Sequence, residues 1–177
     1  MLTGSYLRSF DDKQRFSLPK GIRDALGQLP LVLYLTPGTD GSLALYNEEA
    51  FQRLATQLQQ GAPNSQHKRA FERLFYAQAQ RIEVDRQGRI RVPQPLARLA
   101  RLEDEVMLIG VGDHLEVWNS SLWQSYLEQQ QSRYDEIAER AFGGPAAPAE
   151  GRSPAAKATG LETGPREADE RRPAQPR

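Results

Sequence analysis

Polar and apolar positions alternate in two short stretches of the chain, and both stretches sit in the same frame. Phe16 and Leu18 alternate with Arg15 and Ser17, and Ile90 and Val92 alternate with Arg89 and Arg91. A period of two predicts half-buried strands. Each stretch follows an Asp-led polar turn and ends on proline. Asp11-Asp12-Lys13-Gln14-Arg15-Phe16-Ser17-Leu18-Pro19 thus returns as Asp85-Arg86-Gln87-Gly88-Arg89-Ile90-Arg91-Val92-Pro93, 74 residues on (85 minus 11). An Asp side chain can accept from backbone amides two residues ahead, which opens a tight turn. The proline stops the strand and pre-sets the first turn of a helix. Each copy predicts turn, strand and helix, with the Arg at the foot of the strand.

The pattern repeats again downstream. Leu43-Ala44-Leu45-Tyr46-Asn47-Glu48-Glu49-Ala50-Phe51 matches Leu115-Glu116-Val117-Trp118-Asn119-Ser120-Ser121-Leu122-Trp123, now 72 residues apart (115 minus 43). An alternating strand runs into an Asn suited to capping a helix. Tyr46 with Phe51, and Trp118 with Trp123, have the spacing of a hydrophobic staple. Two halves sharing elements in one order read as a tandem duplication.

Taken in order, the pattern predicts a strand over residues 2–10, the turn at 11–14, a strand over 15–18 and a helix carrying Ile22, Ala25, Leu26 and Leu29. A buried strand over 31–36 turns at Asp40-Gly41 into a strand over 43–46. The next helix turns Phe51, Leu54 and Leu58 inward and breaks at 61–64. A linker helix over about 65–80 places Phe71, Leu74 and Phe75 on one stripe. The second half predicts strands over 82–84, 89–92, 106–109 and 115–118, a turn at 85–88 and a helix over 96–99. The last helix keeps an apolar stripe through Tyr126, Leu127, Tyr134 and Ile137 to about Phe142, and a stripe that long needs a partner surface. This gives an α+β protein with a first repeat over 1–60, a linker helix over 61–80, a second repeat over 81–127, an extension of the last helix over 128–142 and a tail over 143–177. The tail is rich in Pro, Ala, Gly, Arg and Glu, and its composition predicts disorder.

Composition narrows the function. The 177 residues carry 23 basic and 23 acidic side chains, so the chain is no indiscriminate polycation. The absence of Cys removes disulfides and thiolate metal sites. No signal pattern or membrane-length apolar run appears, which predicts a soluble cytoplasmic protein without membrane contact. His67 and His114 are the only histidines, too few and too scattered for a metal-ligand pattern, and no metal or other cofactor is expected. Gly110-Val111-Gly112 lacks the rest of a dinucleotide fingerprint. Neither a catalytic motif nor a small-molecule site is evident, and no enzyme is expected.

Charge is nevertheless unevenly placed. Residues 1–23 hold five basic and two acidic side chains, and residues 81–101 hold six basic and two acidic. The excess lies in the repeated turns and their flanks. Arg presents a planar fork that fits a phosphate or the paired acceptors of guanine. Two readings fit Asp11 with Arg15 and Asp85 with Arg89: local ion pairs that brace a hairpin, or arginines aimed at DNA by their aspartates. Surface ion pairs are common and contribute only ~0–1 kcal/mol. Two like turns related by duplication suit a two-fold duplex surface.

Over residues 1–142 the chain resembles the MraZ family of bacterial DNA-binding regulators. The resemblance rests on Gly4-Ser5-Tyr6, both Asp-x-x-x-Arg turns, residues 43–46 and 70–79, Val111-Gly112-Asp113 and the long last helix. It implies two tandem swapped-hairpin, AbrB-like half-domains forming an internal pseudo-dimer, with helical additions. It also implies a sequence-specific, nucleoid-associated transcriptional regulator of the division and cell-wall gene cluster. Such a protein binds direct repeats of double-stranded DNA as a homo-oligomeric ring, an octamer being one candidate size. The DNA role falls first on Arg15 and Arg89, then on Lys13 and Arg86 at the turn tips, with Asp11 and Asp85 aiming the arginines. Arg8 and Arg91 are candidates by charge alone. The alternatives are a non-DNA assembly protein and an antitoxin-like AbrB-type regulator. One departure is Gln14, where the family usually has Gly and the second copy keeps Gly88. Only Gly takes a positive φ without cost, which puts the shape of the first turn in question.

Overall fold

The computed structural model describes residues 1–60 and 65–143. The expected break at 61–64 and the expected disorder of the tail lie outside the described residues, save Gly143. Residues 1–137 form one compact unit. A second unit begins at Ala138, and its described residues run to 143.

The first half supplies β1 (Ser5–Ser9), β2 (Arg15–Ser17), α1 (Lys20–Leu26), β3 (Val32–Pro37), β4 (Leu43–Asn47) and α2 (Glu48–Gln60). A helix α3 (Gln66–Gln78) follows, then β5 (Gln80–Glu83), β6 (Arg89–Arg91), α4 (Gln94–Leu99), β7 (Glu105–Val111) and β8 (His114–Asn119). Helices α5 (Ser120–Gln131) and α6 (Tyr134–Phe142) complete the order. Six strands form one antiparallel sheet in the order β1-β7-β8-β4-β3-β5, and β2 pairs with β6 in a separate two-stranded ladder.

Most of these pairings cross between the halves. β1 bonds to β7, β3 to β5, β4 to β8 and β2 to β6. Only the hairpins β3–β4 and β7–β8 lie within one half. When each strand is exchanged for the one at the matching sequence position in the other half, the sheet order reads the same from its other end. The registers agree with this. Phe16 faces Ile90 at the centre of the short ladder, and Ala44 faces Glu116 at the centre of the long sheet.

Strand alternation builds the core. Leu43, Leu45, Leu115 and Val117 turn to one face of the sheet, where Leu33, Leu35 and Leu108 also become inaccessible to water. Phe16, Ile90, Val92 and the apolar sides of α1 and α4 close over them in a single cluster. Each fully buried large apolar side chain contributes ~1.5–3 kcal/mol to holding these layers together. On the opposite face, Ala44 and Tyr46 pack against Ala50, Phe51 and Leu54 of α2. The two expected caps form. Asn47 Oδ1 accepts from the Ala50 amide at 2.9 Å, and Asn119 Oδ1 accepts from Ser121 and Leu122 at 2.9 and 3.1 Å. The staple rings meet above them, with centroids 6.3 Å apart for Tyr46 and Phe51 and 5.5 Å for Trp118 and Trp123.

Several expectations are corrected in detail. The first strand is shorter than residues 2–10, although Leu2 makes an isolated bridge to Gly112. Leu29 lies beyond α1 and is exposed, because the helix stops at Gly27 with φ +151°. The α3 stripe forms, with Phe71 stacked on Phe75 at 5.6 Å between ring centroids, but only Phe75 is buried and Phe71 and Leu74 stay exposed. The single last helix is two. At Ser132 and Arg133 the chain tightens, with the Arg133 amide donating to the Gln130 carbonyl at 2.9 Å. Serine is a weak interior helix former that competes for nearby backbone groups, which favours a boundary there.

Candidate nucleic-acid interface

Each repeated turn is organised by its aspartate. One oxygen of Asp11 accepts from the amides of Lys13 and Arg15 at 3.0 and 2.9 Å. Its other oxygen accepts from Nε and Nη2 of Arg15 at 2.9 and 2.8 Å. Asp85 repeats the arrangement with the amides of Gln87 and Arg89, both at 2.9 Å, and with Arg89 Nε and Nη2 at 2.8 Å. The Gln14 amide closes the first turn on the Asp11 carbonyl at 2.7 Å, and Gly88 closes the second on Asp85 at 2.9 Å. Arg15 holds the Asp11 carboxyl below the usual range, and the amide and side chain of Arg89 do the same for Asp85. Asp11 in turn raises the Arg15 guanidinium.

Gln14 sits at φ +60° and Gly88 at φ +76°. The first turn therefore keeps the hand and the closing bonds of the second, and the change of residue has not reshaped it. Gln14 adopts the left-handed conformation at a steric cost instead.

The ladder register then fixes which arginines share a surface. Arg15 stands opposite Arg91, and Ser17 opposite Arg89. Directly opposed residues and those two apart along a strand point to the same face. Arg15, Arg89 and Arg91 therefore occupy the outer face of the β2–β6 ribbon, while Phe16 and Ile90 occupy the inner one at 2% and 0% exposure. Like charges placed directly across a ladder repel. Asp11 offsets this by holding the Arg15 head, so the aspartate is part of what lets three arginines assemble on three residue pairs. The arginine side chains of both ion pairs stay partly open, at 27% exposure for Arg15 and 31% for Arg89. Each keeps donors beyond those given to its aspartate.

Lys13 and Arg86 are exposed at the tips of turns that flank opposite ends of the ribbon. Arg8 stands apart. It lies in β1, half-buried, with its Nη1 donating to the Leu7 carbonyl at 2.7 Å, and belongs to the six-stranded sheet rather than the ribbon. Arg91, a candidate by charge alone, stands directly beside Arg15.

Each turn is docked on the other half of the chain. The Leu18 amide donates to the Gly88 carbonyl at 2.9 Å, and the Val92 amide to the Gln14 carbonyl at 2.8 Å. This brings in a side chain that sequence reasoning missed. Arg23 of α1 lays its guanidinium where Gly88 would carry a Cβ, so any side chain at 88 would collide with it. Arg23 counted in the basic excess, but only the long-range pairing shows it meeting the second turn. Of the histidines, His114 stacks on Tyr46 with ring centroids 4.9 Å apart and meets Asp113 at 2.8 Å, while His67 is exposed on α3. Among the described residues no group of three His, Cys, Asp or Glu is placed to hold a metal ion, and no helix is long and apolar enough to cross a membrane.

Comparison with known proteins adds an independent finding. A family model described as "MraZ protein, putative antitoxin-like" matches residues 75–144. The chain is 37% identical over 140 residues to the transcriptional regulator MraZ of Heliobacterium modesticaldum. It is 39% identical over 140 residues to the proteins of the same name from Alkaliphilus metalliredigens and Acetivibrio thermocellus. Each of these alignments covers 79% of this chain and 96% of the relative.

Proposed function

Because the chain belongs to the MraZ family of transcriptional regulators, we propose that it regulates transcription by gripping duplex DNA with the β2–β6 ribbon and its two flanking turns. Family membership makes it a regulator and not an enzyme. The observation that carries the DNA reading is the ribbon itself: three arginines on one outer face, over a buried inner face. A two-stranded ribbon fits the major groove, and an arginine fork can engage the two acceptors of guanine. Arg15, Arg89 and Arg91 take that role. Lys13 and Arg86 take phosphates, Asp11 and Asp85 hold the reading arginines in register, and Arg8 plays no direct part.

The palindromic strand order supports the finer architecture. In it, residues 1–60 and 81–127 are swapped-hairpin half-domains joined through the linker helix at 61–80 into an internal pseudo-dimer. The proposed target is the promoter of the division and cell-wall gene cluster, read at direct repeats by a homo-oligomeric ring associated with the nucleoid. Zero net charge fits such a ring. Modest contacts from one protomer become tight when several engage one tethered DNA. The exposed stripe of Tyr134 and Ile137 on α6 is the proposed contact between protomers, and deleting residues 128–142 should lower the size measured in solution.

Both arginine heads are engaged by aspartates, an observation that favours one rival, a non-DNA assembly protein in which these pairs serve only structure or subunit contact. The experiment is a fluorescence-anisotropy titration of a duplex from upstream of this protein's own gene, against a scrambled duplex, at two salt concentrations. Wild type runs beside Arg15→Ala and Arg89→Ala, with sizing of each. The DNA reading expects preference for the native duplex, steep weakening with salt and loss of binding in both variants with the oligomer intact. Flat titrations from folded wild type, or variants that bind normally but fall apart, would overturn it.

A further inference from the structure

The two turns are related in sequence and alike in backbone, but the side chains around them are not equivalent. Position 12 in the first turn is Asp, and the matching position in the second is Arg86. The first turn has the Gln14 side chain at the matching position, lining a groove with Arg91 and Pro93. The second carries no side chain at Gly88, and Arg23 of the other half occupies that space. The residue matching Arg23 beside the first turn is Ala97, which is buried and neutral. The groove beside the first turn is lined by Asp12, Gln14, Arg91, Pro93 and Gln94, so an acidic group shares it with the one arginine.

Resting on the DNA reading above, we propose that the turns engage DNA unequally: the turn at residues 85–88, joined by Arg23 through the space left at Gly88, is the principal phosphate anchor, and Asp12 makes the turn at residues 11–14 the weaker contact. Asp85 is satisfied by Arg89. Neither Arg23 nor Arg86 has a carboxylate partner among the described residues. Two guanidinium groups from opposite halves thus border one tight turn, and no carboxylate of the described residues pairs with either. A phosphodiester supplies an anionic partner, and Arg is suited to hold it through parallel N–H donors.

The imbalance is local. One step along each helix the signs reverse, with Asp24 on α1 matched by Arg98 on α4. Residues 17–24 with 85–89 and residues 11–15 with 91–98 then carry the same net charge, four basic against two acidic in each. What differs is where charge stands relative to the turn, which matters for a contact made at hydrogen-bond distance. Long-range attraction to the duplex would be shared equally, and the close contact would not.

The test compares Arg86→Ala, Arg23→Gln, Lys13→Ala and Asp12→Arg by anisotropy titration of the upstream duplex across a salt series, with thermal melts of each variant. Arg86→Ala and Arg23→Gln should each weaken binding by ~3–10-fold and reduce the salt slope by about one, whereas Lys13→Ala should cost less. Asp12→Arg should tighten binding and steepen the slope, a gain that misfolding cannot produce. Equal losses at Lys13 and Arg86, or no gain from Asp12→Arg, would overturn the inequality while leaving the DNA reading in place. A folded wild type that binds no duplex at any salt would overturn both.

Discussion

Gln14 offers a direct measurement of what the turn geometry costs. Its φ of +60° lies in the left-handed region, where Gly88 sits at +76° in the matching turn. For an L-residue that conformation costs ~1–2 kcal/mol. Glycine removes the clash but loses more freedom on folding, which returns ~0.5–1 kcal/mol. No side-chain hydrogen bond of Gln14 stands to be lost among the described residues, and the side chain is only half-buried. Gln14→Gly should therefore stabilise the protein by about 0.5–1 kcal/mol, raising the melting temperature by roughly 1–4 °C for a chain of this size. The reciprocal Gly88→Ala should destabilise it, because it adds the same backbone strain and also displaces Arg23. Urea denaturation at one fixed protein concentration measures both, with the m-value as control for two-state behaviour. A clear loss of stability in Gln14→Gly, or an unchanged midpoint in Gly88→Ala, would refute the assignment of strain to this position.

Acid sensitivity follows from the two turn aspartates. Both have folded pKa values below the ordinary carboxylate value, so their stabilisation is present above pH ~4 and is lost as pH falls further, through the folded values. Melting temperatures taken between pH 7 and 2 should drop below pH ~4, and Asp85→Asn should lower stability at pH 7 while shrinking that acid drop. Ile90→Ala empties a fully buried site under the ribbon and should cost ~2–5 kcal/mol by urea denaturation. Asn119→Ala loses the cap of α5 and the bond from its Nδ2 to the Arg101 carbonyl at 2.6 Å, for a cost of ~1–2 kcal/mol in the same assay.

Local features were legible in the sequence where short-range physics decides them. The Asp-led turns, the alternating strands and the Asn caps with their staples all form where residues 11–19, 85–93, 47 and 119 placed them. The ends of helices were harder, since apolar periodicity continues through Ser132 without showing the boundary there. Exposure was harder still: Phe71 and Leu74 have the spacing of a buried stripe, yet only Phe75 finds cover. Partner choice was out of reach. Alternation says that Phe16 points inward, but not that it meets Ile90, and the surface depends on that pairing. Without the register Arg91 is one charge among many, and Arg23 has no reason to meet Gly88 across 65 positions (88 minus 23).

The crossing of strands between halves has a consequence for how the chain reaches this state. Because β1, β2 and β4 all bond to strands of the second half, folding cannot finish one half before starting the other. Much of the loop-closure entropy must be spent before those pairings form, as in other folds of high contact order. During synthesis the first 60 residues would wait as a lone hairpin with unpaired edges until the second half emerges. A fragment ending there has one available remedy for those edges, which is to borrow the missing strands from another copy of itself.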